Sequence, residues 1–359
     1  MNILVVGGAW GVGKPSQLTT QIASEIKDNN VLVYNGGSYK QLSTIVACLS
    51  NYDVIFWFAE TEDNSFMYGA SVKDYAPKSI LISSVQNENK KYSLEDLLQT
   101  ALSTKLNLCF ELTKKDTLTI KVFDPLGCVW YEGTSLSTAV QSALDRVKFL
   151  MTLTRKPSVP VSEALTQNIE FTADDVQFMK FVKSSATRFH ELMYAPIPQK
   201  DIRGLQFRTP TRCMSGFPSL RKDNLFLISK RNVDKSGITE NDFVPCILNG
   251  ENVEYFGNNK PSIDSPIQTR LFQALPNIDY ILHGHVYIKN APITDVVYPC
   301  GALEEVDEIL KKVATSSDFI TINLRGHGCL VMTSKEKLKK SRKIQYIVRP
   351  VPEHMRGNE

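Results

Sequence analysis

The chain has 359 residues, too many for one typical core; dividing by about 150 residues per domain gives two domains. Apolar residues make up 42% and charged residues 22%, the balance of an ordinary soluble globular protein. A formal net charge of +3 is near neutral at this size and offers no footing for nucleic acid or an anionic membrane, so neither is expected as a partner.

The N-terminus runs straight into an apolar strand pattern, Ile3–Val6, with no signal-peptide composition and no apolar segment of about 18 residues anywhere. Cytoplasmic residence is the expectation. Further strands are read at 31–34, 53–58, 79–82, 106–110 and 118–123. Between them Leu18, Ile22, Ala23 and Ile26, and then Leu42, Ile45, Val46 and Leu49, recur at helical spacing. Ser93 caps another helix, with Asp96 three residues on, and a helix from Ser137 to about Leu150 closes the unit. Strands alternating with helices imply right-handed crossovers and a parallel, doubly wound sheet of Rossmann-like or flavodoxin-like type over residues 1–155.

The first strand leads into a glycine-rich turn. Gly8, Gly11, Gly13 and Lys14 nearly fit a phosphate-binding loop, but Pro15 stands where a serine or threonine would hold magnesium. Such glycines let a backbone pass close to a phosphate at a helix N-terminus, with Lys14 supplying charge and Pro15 suiting the first helical turn. A nucleotide or phosphate is the ligand this loop would take; the alternative is a tight strand-to-helix turn with no ligand. Nucleotide hydrolysis is not expected, because the hydroxyl is missing and Asp53 begins its strand instead of ending it.

Arg155-Lys-Pro-Ser-Val-Pro-Val161 interrupts the periodicity and marks a domain joint at about 155–165. A helix restarts with Thr172 as N-cap and Asp175 three residues on, shows an apolar face of Val176, Phe178, Met179, Phe181 and Val182, and ends near 194–196. Strands then cluster: 225–229, and a hairpin at 243–248 and 253–256 turning on Asn249-Gly250. Helices are read from Ser265 to Leu275, with Asp264 at the start, and from Glu304 to Val313, with a strand at 319–324. The expectation for 165–350 is an α/β/α domain with a largely antiparallel sheet.

Within it, Asp279–Ile288 reads as one strand. Side chains alternate along a strand, so His283 and His285 point the same way, and Gly284 leaves the opposite face bare. Two imidazoles so placed can grip one metal ion. His327 follows in another short apolar stretch, and these three are most of the five histidines in the chain. The seven cysteines, Cys48, Cys109, Cys128, Cys213, Cys246, Cys300 and Cys329, form no CxxC pair and read as reduced core residues.

This order of pieces resembles the class II aldolase/adducin family. Ser215-Gly-Phe-Pro-Ser-Leu-Arg221 is similar to its SGN-x-S-x-R segment, and Ile228-Ser-Lys-Arg231 with Ile238-Thr239 to its TP(S/T)G segment. Lys260-Pro-Ser-Ile-Asp264 is similar to its P-S-S-E segment, His283-Gly-His285 to its H-x-H, and Gly326-His327-Gly328 to its late H-G. The resemblance covers about 172–345. It implies His283, His285 and His327 as ligands of zinc, or of another divalent transition metal such as manganese, with an open position for catalysis. It implies Asp264 as the acid/base group, where the family has glutamate; the alternative is that Asp264 only caps the helix at Ser265.

Ser215, Gly216, Ser229, Lys230 and Ser262 fall in the family's substrate loops. Phe217, Lys230 and Ile263 replace its asparagine, glycine and second serine, removing donors that a phosphate uses while Lys230 returns charge. Tyr287 and Tyr298 are further candidates for substrate contact, or are aromatic core. The resemblance implies a metal-dependent lyase, an aldolase making or breaking a C–C bond in a sugar-like or sugar-phosphate-like hydroxy-carbonyl substrate through a metal-stabilised enediolate. Epimerase and dehydratase activities share the same site. Other readings are an adducin-like scaffold without metal chemistry and a nucleotide-binding first domain. A homotetramer with sites at subunit interfaces is the assembly implied.

Overall fold

Ile3–Val6 is apolar without interruption, the pattern of a strand covered on both faces, and all four residues are fully buried in β1 (Asn2–Trp10). In the computed structural model the described residues are 1–27, 30–61, 72–73, 75–87, 92–93, 97, 101, 106–114, 117–125, 127–161, 169–192, 216–222, 225–231 and 233–348. They fall into two compact units, divided between Thr152 and Leu153.

The first unit follows β1 with α1 (Gln17–Glu25), β2 (Asn30–Gly37), α2 (Tyr39–Ala47), β3 (Val54–Thr61), β4 (Ile80–Gln86), β5 (Leu108–Lys114), β6 (Leu118–Phe123), β7 (Val129–Gly133) and α3 (Leu136–Thr152). The sheet order is β2-β1-β3-β4-β5-β6-β7, parallel from β2 to β5. The order 2-1-3-4-5 is the flavodoxin-like one. β6 and β7 add antiparallel strands. Only three residues separate β5 from β6, and a parallel return needs a dozen or more, so the chain can only turn back as a hairpin. Pro15 lies outside α1, whose N-cap is Ser16, and not in its first turn. Most of the helix expected after Ser93 lies outside the described residues.

The second unit contains β8 (Val159–Pro160), α4 (Ala173–Glu191), β9 (Gly216–Lys222), β10 (Leu225–Ser229), β11 (Phe243–Asn249), β12 (Asn252–Tyr255), α5 (Ser265–Ala274), β13 (Tyr280–Gly284), β14 (Tyr287–Ile288), α6 (Glu304–Leu310), β15 (Phe319–Leu324), β16 (Gly328–Thr333) and β17 (Tyr346–Ile347). Eight strands form one sheet in the order β15-β16-β13-β9-β10-β11-β12-β8, antiparallel except at β8. Val159-Pro160, inside the proline-rich stretch read as a joint, is thus a strand paired with β12.

Alternation along β13 fixes the layers. Tyr280 and Leu282 pack with Phe178, Val182 and Phe189 of α4 on one face. Ile281 packs with Ile267, Leu271 and Ile309 of α5 and α6 on the other. Thr172 and Asp175 form a reciprocal capping box at the start of α4. Asp175 is fully buried, accepts a 2.9 Å hydrogen bond from Tyr280 Oη and is paired with Lys222. One carboxylate thereby ties the helix to β9 and β13.

Three expectations about this unit change. The 279–288 segment is not one strand: β13 stops at Gly284, His285 lies in a bend, and β14 pairs with β17 in a separate sheet. The face opposite Gly284 is not bare. The Phe189 ring occupies it, and a Cβ at Gly284 would lie 2.5 Å from that ring. From Gly216 onward the segment read as a substrate loop is β9, hydrogen-bonded between β13 and β10. No helix among the described residues is long and apolar enough to cross a membrane.

Candidate metal centre

His283 is the penultimate residue of β13, opposite Phe217 of β9 and Leu330 of β16, and so is flanked by strands on both sides near the end of its own. By alternation it shares the face of Ile281, toward α5 and α6. Its Nδ1 lies 3.0 Å from the Cys329 carbonyl oxygen. A carbonyl only accepts, so Nδ1 carries the proton and Nε2 keeps its lone pair. His285 follows in the bend itself, half-buried.

His327 comes from the turn between β15 and β16. Gly326 N donates to Tyr287 Oη at 2.8 Å, which pins that turn and makes Tyr287 a structural anchor. The glycine after the histidine is dictated by space: a Cβ at Gly328 would collide with the Gly284 carbonyl oxygen. That close approach brings the third ring to the first two. Ring centroids are 4.8 Å apart for His283 and His327, 5.0 Å for His283 and His285, and 5.6 Å for His285 and His327. One nitrogen from each lies within 4.8 Å of the others, a group able to hold a metal ion.

Asp264, Cys300 and His327 form a second such group sharing His327. Asp264 is 4% exposed. It precedes α5, but its side chain makes no capping hydrogen bond; Oδ1 accepts from Gly301 N at 2.8 Å. Among the described residues Oδ2 has no hydrogen-bond partner. A buried carboxylate oxygen left so is costly unless a cation or a protonated group meets it. Cys300 Sγ lies 3.1 Å from His327 Nε2, and Glu305 Oε1 of α6 lies 3.3 Å from His327 Nδ1.

Burial sets the electrostatics. It raises Asp264 above the usual carboxylate range, against the pull of His327, the Gly301 amide and Arg231. It raises Glu305 as well, with His327 opposing. Burial, then His327 and His285, push His283 well below the usual histidine value, so it is neutral with a lone pair to give. Burial opposes charge on His327 too, but Cys300 and Glu305 outweigh it and hold this ring well above the usual value.

The other sequence candidates divide. Ser229, at the end of β10, accepts at its carbonyl from Ser262 N (3.1 Å), and Ser262 Oγ accepts from Asp264 N (3.2 Å). Lys230 forms a bridge with Pro261, and its ammonium lies 3.8 Å from Asp242. Ser262, and through it Ser229, therefore lie beside Asp264, whereas the Lys230 ammonium faces Asp242. The Ser229 hydroxyl is buried with no hydrogen-bond partner among the described residues. Gly216 is paired with Gly284, next to the histidines. Ser215 lies outside the described residues.

Gly8, Gly11, Gly13 and Lys14 are all in the first unit. The loop closes on itself: Ala9 and Lys14 exchange backbone hydrogen bonds of 2.8 and 3.1 Å, and Gly11 N donates to Gly37 O at 2.8 Å. Gly8 has φ 74° and faces the Gly36 backbone, so the turn itself requires that glycine. Lys14 is exposed.

Sequence reasoning missed Cys300 and Glu305. Cys300 read as one more core cysteine, and Glu305 drew no reading of its own within the helix expected from Glu304 to Val313. Only proximity to His327 distinguishes them.

Residues 203–291 match a family model described as Class II Aldolase and Adducin N-terminal domain. The resemblance read from the motifs of the second half is thus met over about a quarter of the chain. No curated protein matches the chain. Among solved structures, the chain is similar to a DNA/pantothenate metabolism flavoprotein from Streptococcus pneumoniae, with 10% identity over 42% of this chain and 99% of that one, and a TM-score of 0.34. It is similar to L-fuculose-1-phosphate aldolase from Thermus thermophilus, with 14% identity over 46% of this chain and 86% of that one, and a TM-score of 0.30. It is also similar to the N-terminal class II aldolase domain of a conserved protein from Thermoplasma acidophilum, with 11% identity over 50% and 94%, and a TM-score of 0.31.

Proposed function

We propose, starting from the class II aldolase and adducin domain that residues 203–291 match, that the second unit is a metal-dependent lyase of aldolase type. Its substrate is a small sugar-like or sugar-phosphate-like hydroxy-carbonyl compound. The observation that carries this reading is the convergence of three imidazoles on one buried point, with a carboxylate that has an unpartnered oxygen in the adjoining group. A scaffold has no use for that arrangement.

His283, His285 and His327 would hold the ion, with zinc the expected metal. Bound there, it supplies Lewis-acid stabilisation of the negative charge that develops beside a carbonyl when the neighbouring C–C bond breaks. Asp264 moves the proton to or from the substrate hydroxyl or carbon. A carboxyl raised by burial is suited to both directions of that transfer near neutral pH. Cys329 and Glu305 orient the rings of His283 and His327 through Nδ1. Ser229, Lys230, Ser262 and Gly216 would take up polar groups of the substrate, a reading supported by the hydrogen bond of Ser262 to the Asp264 amide.

Metal content and activity test this together. The purified protein holds one divalent transition ion per chain, and a panel of sugar phosphates and free sugars, assayed for aldehyde release and for epimerised product, yields a substrate. His283→Ala removes both. A protein that takes up no stoichiometric metal, with His283→Ala indistinguishable from the parent, ends the lyase reading.

For the first unit we propose a nucleotide or phosphate ligand. The sheet order reverses at β1, and Gly8–Lys14 spans the last residues of that strand and the turn after it, at the carboxyl end where open α/β sheets take their ligands. Nucleotides raise the melting temperature of the parent and not of Lys14→Ala; equal shifts in both remove the loop from consideration. Light scattering tests assembly as a homo-oligomer.

A further inference from the structure

We propose that Cys300 is a thiolate ligand of the same metal ion, so that the centre is built from three imidazoles and one sulfur. The inference rests on the metal-centre reading above and adds to it a donor that the motifs did not contain.

His327 has two ring nitrogens, and the structure allots them. Nδ1 faces Glu305 at 3.3 Å, which leaves Nε2 as the nitrogen for an ion. Cys300 Sγ lies 3.1 Å from that same Nε2. An ion on Nε2 therefore has the sulfur beside it, because zinc–nitrogen bonds are about 2.0–2.1 Å and zinc–sulfur bonds about 2.3 Å. A second observation points the same way. Asp264, 4% exposed and with Oδ2 unpartnered among the described residues, belongs to the group whose ligand atoms, one each from Asp264, Cys300 and His327, lie within 4.8 Å of one another. The cysteine thus shares His327 with a buried carboxylate that has an unpartnered oxygen. Of the six described cysteines, four are buried in cores and one is exposed on the first unit; Cys300 alone is partly open and turned toward histidine.

Ligation requires the thiol to give up its proton to solvent as the sulfur–metal bond forms; nothing is oxidised. The chemical consequences are specific. A thiolate is a soft donor, so the set discriminates for zinc and against manganese and magnesium, which favour oxygen. It also lowers the charge of a dication and its neutral histidines from two to one, tempering the Lewis acid. Asp264 is then left to proton transfer.

X-ray absorption at the zinc edge tests the proposal on the full chain. The zinc-loaded parent shows one sulfur at about 2.3 Å with nitrogen or oxygen at about 2.0–2.1 Å. Cys300→Ser keeps its zinc and loses the sulfur; Cys300→Ala serves if the serine variant does not fold. A parent shell of nitrogen and oxygen alone overturns the proposal while the metal centre stands. A sulfur that persists in the Cys300 variant overturns it too, since another cysteine then supplies it. A parent that binds no zinc overturns the proposal and the metal-centre reading together.

Discussion

Glu305 Oε1 lies 3.3 Å from His327 Nδ1, between two side chains that are each almost fully buried. A carboxylate in that place fixes the ring and makes its other nitrogen a better donor. Glu305→Gln keeps the shape and removes the charge. It should weaken zinc binding about 10–100-fold, read by competition with a chromophoric chelator. Unchanged affinity would show that the carboxylate does not orient the ring.

Asp264→Asn separates proton transfer from metal binding. The variant is expected to retain its ion and to lose about 10²–10⁴-fold in kcat on whatever substrate the panel yields. Metal analysis and turnover on the same preparation decide it. Loss of the ion instead would make Asp264 a ligand.

Removing the ion should be reversible. Dialysis against a strong chelator abolishes activity, and zinc restores it. Magnesium does not, since it favours oxygen donors and the three histidines offer nitrogen. Recovery with magnesium alone would contradict the donor set.

Asp175 gives a stability prediction with a pH signature. Burial works to raise its carboxyl, but Lys222, the Thr172 cap and Tyr280 win and hold it below the usual aspartate value. A carboxyl lowered in the folded state contributes stability that is full above the unfolded-chain value and is lost as pH falls through the folded one. Asp175→Asn strands Lys222 and breaks the tie between α4, β9 and β13. It should cost about 3–5 kcal/mol at pH 7. Urea melts at pH 7 and pH 3 should show the gap between parent and variant closing at the lower pH; a constant gap would refute the assignment.

Gly284→Ala pushes a methyl into the Phe189 ring. The expected cost is about 1–3 kcal/mol, and Phe189→Leu in the same chain should recover part of it. A purely additive double mutant would show that the ring is not the obstacle.

Much of this molecule is legible in its sequence, and the failures have physical causes. The buried strands of the first unit are continuous apolar runs, and β1, β3 and β4 fall where those runs are. β6 was read as a strand, but its direction depends on how few residues precede it, which periodicity does not weigh. Thr172 and Asp175 announced the start of α4, and the structure has both halves of their capping box. His283-Gly-His285 was noticed for its spacing, yet strand alternation is not what unites the pair, since β13 ends between them. Asp264 stood at a helix start like any capping aspartate; its hydrogen bond to Gly301, 37 residues away, is a tertiary fact. Cys300 and Glu305 carry no local signal, because their partner, His327, is more than 20 residues away in each case.

Gly216, Gly284 and Gly328 lie side by side at one end of the large sheet: the first two are paired across β9 and β13, and the third presses on the backbone of the second. A side chain at Gly328 meets backbone and one at Gly284 meets the Phe189 ring, so this corner has little room to drift. The loops carrying Ser229, Lys230 and Ser262 are under no such restriction. A lineage built on this chain could therefore alter those loops freely, while the backbone that brings the three histidines together tolerates little change.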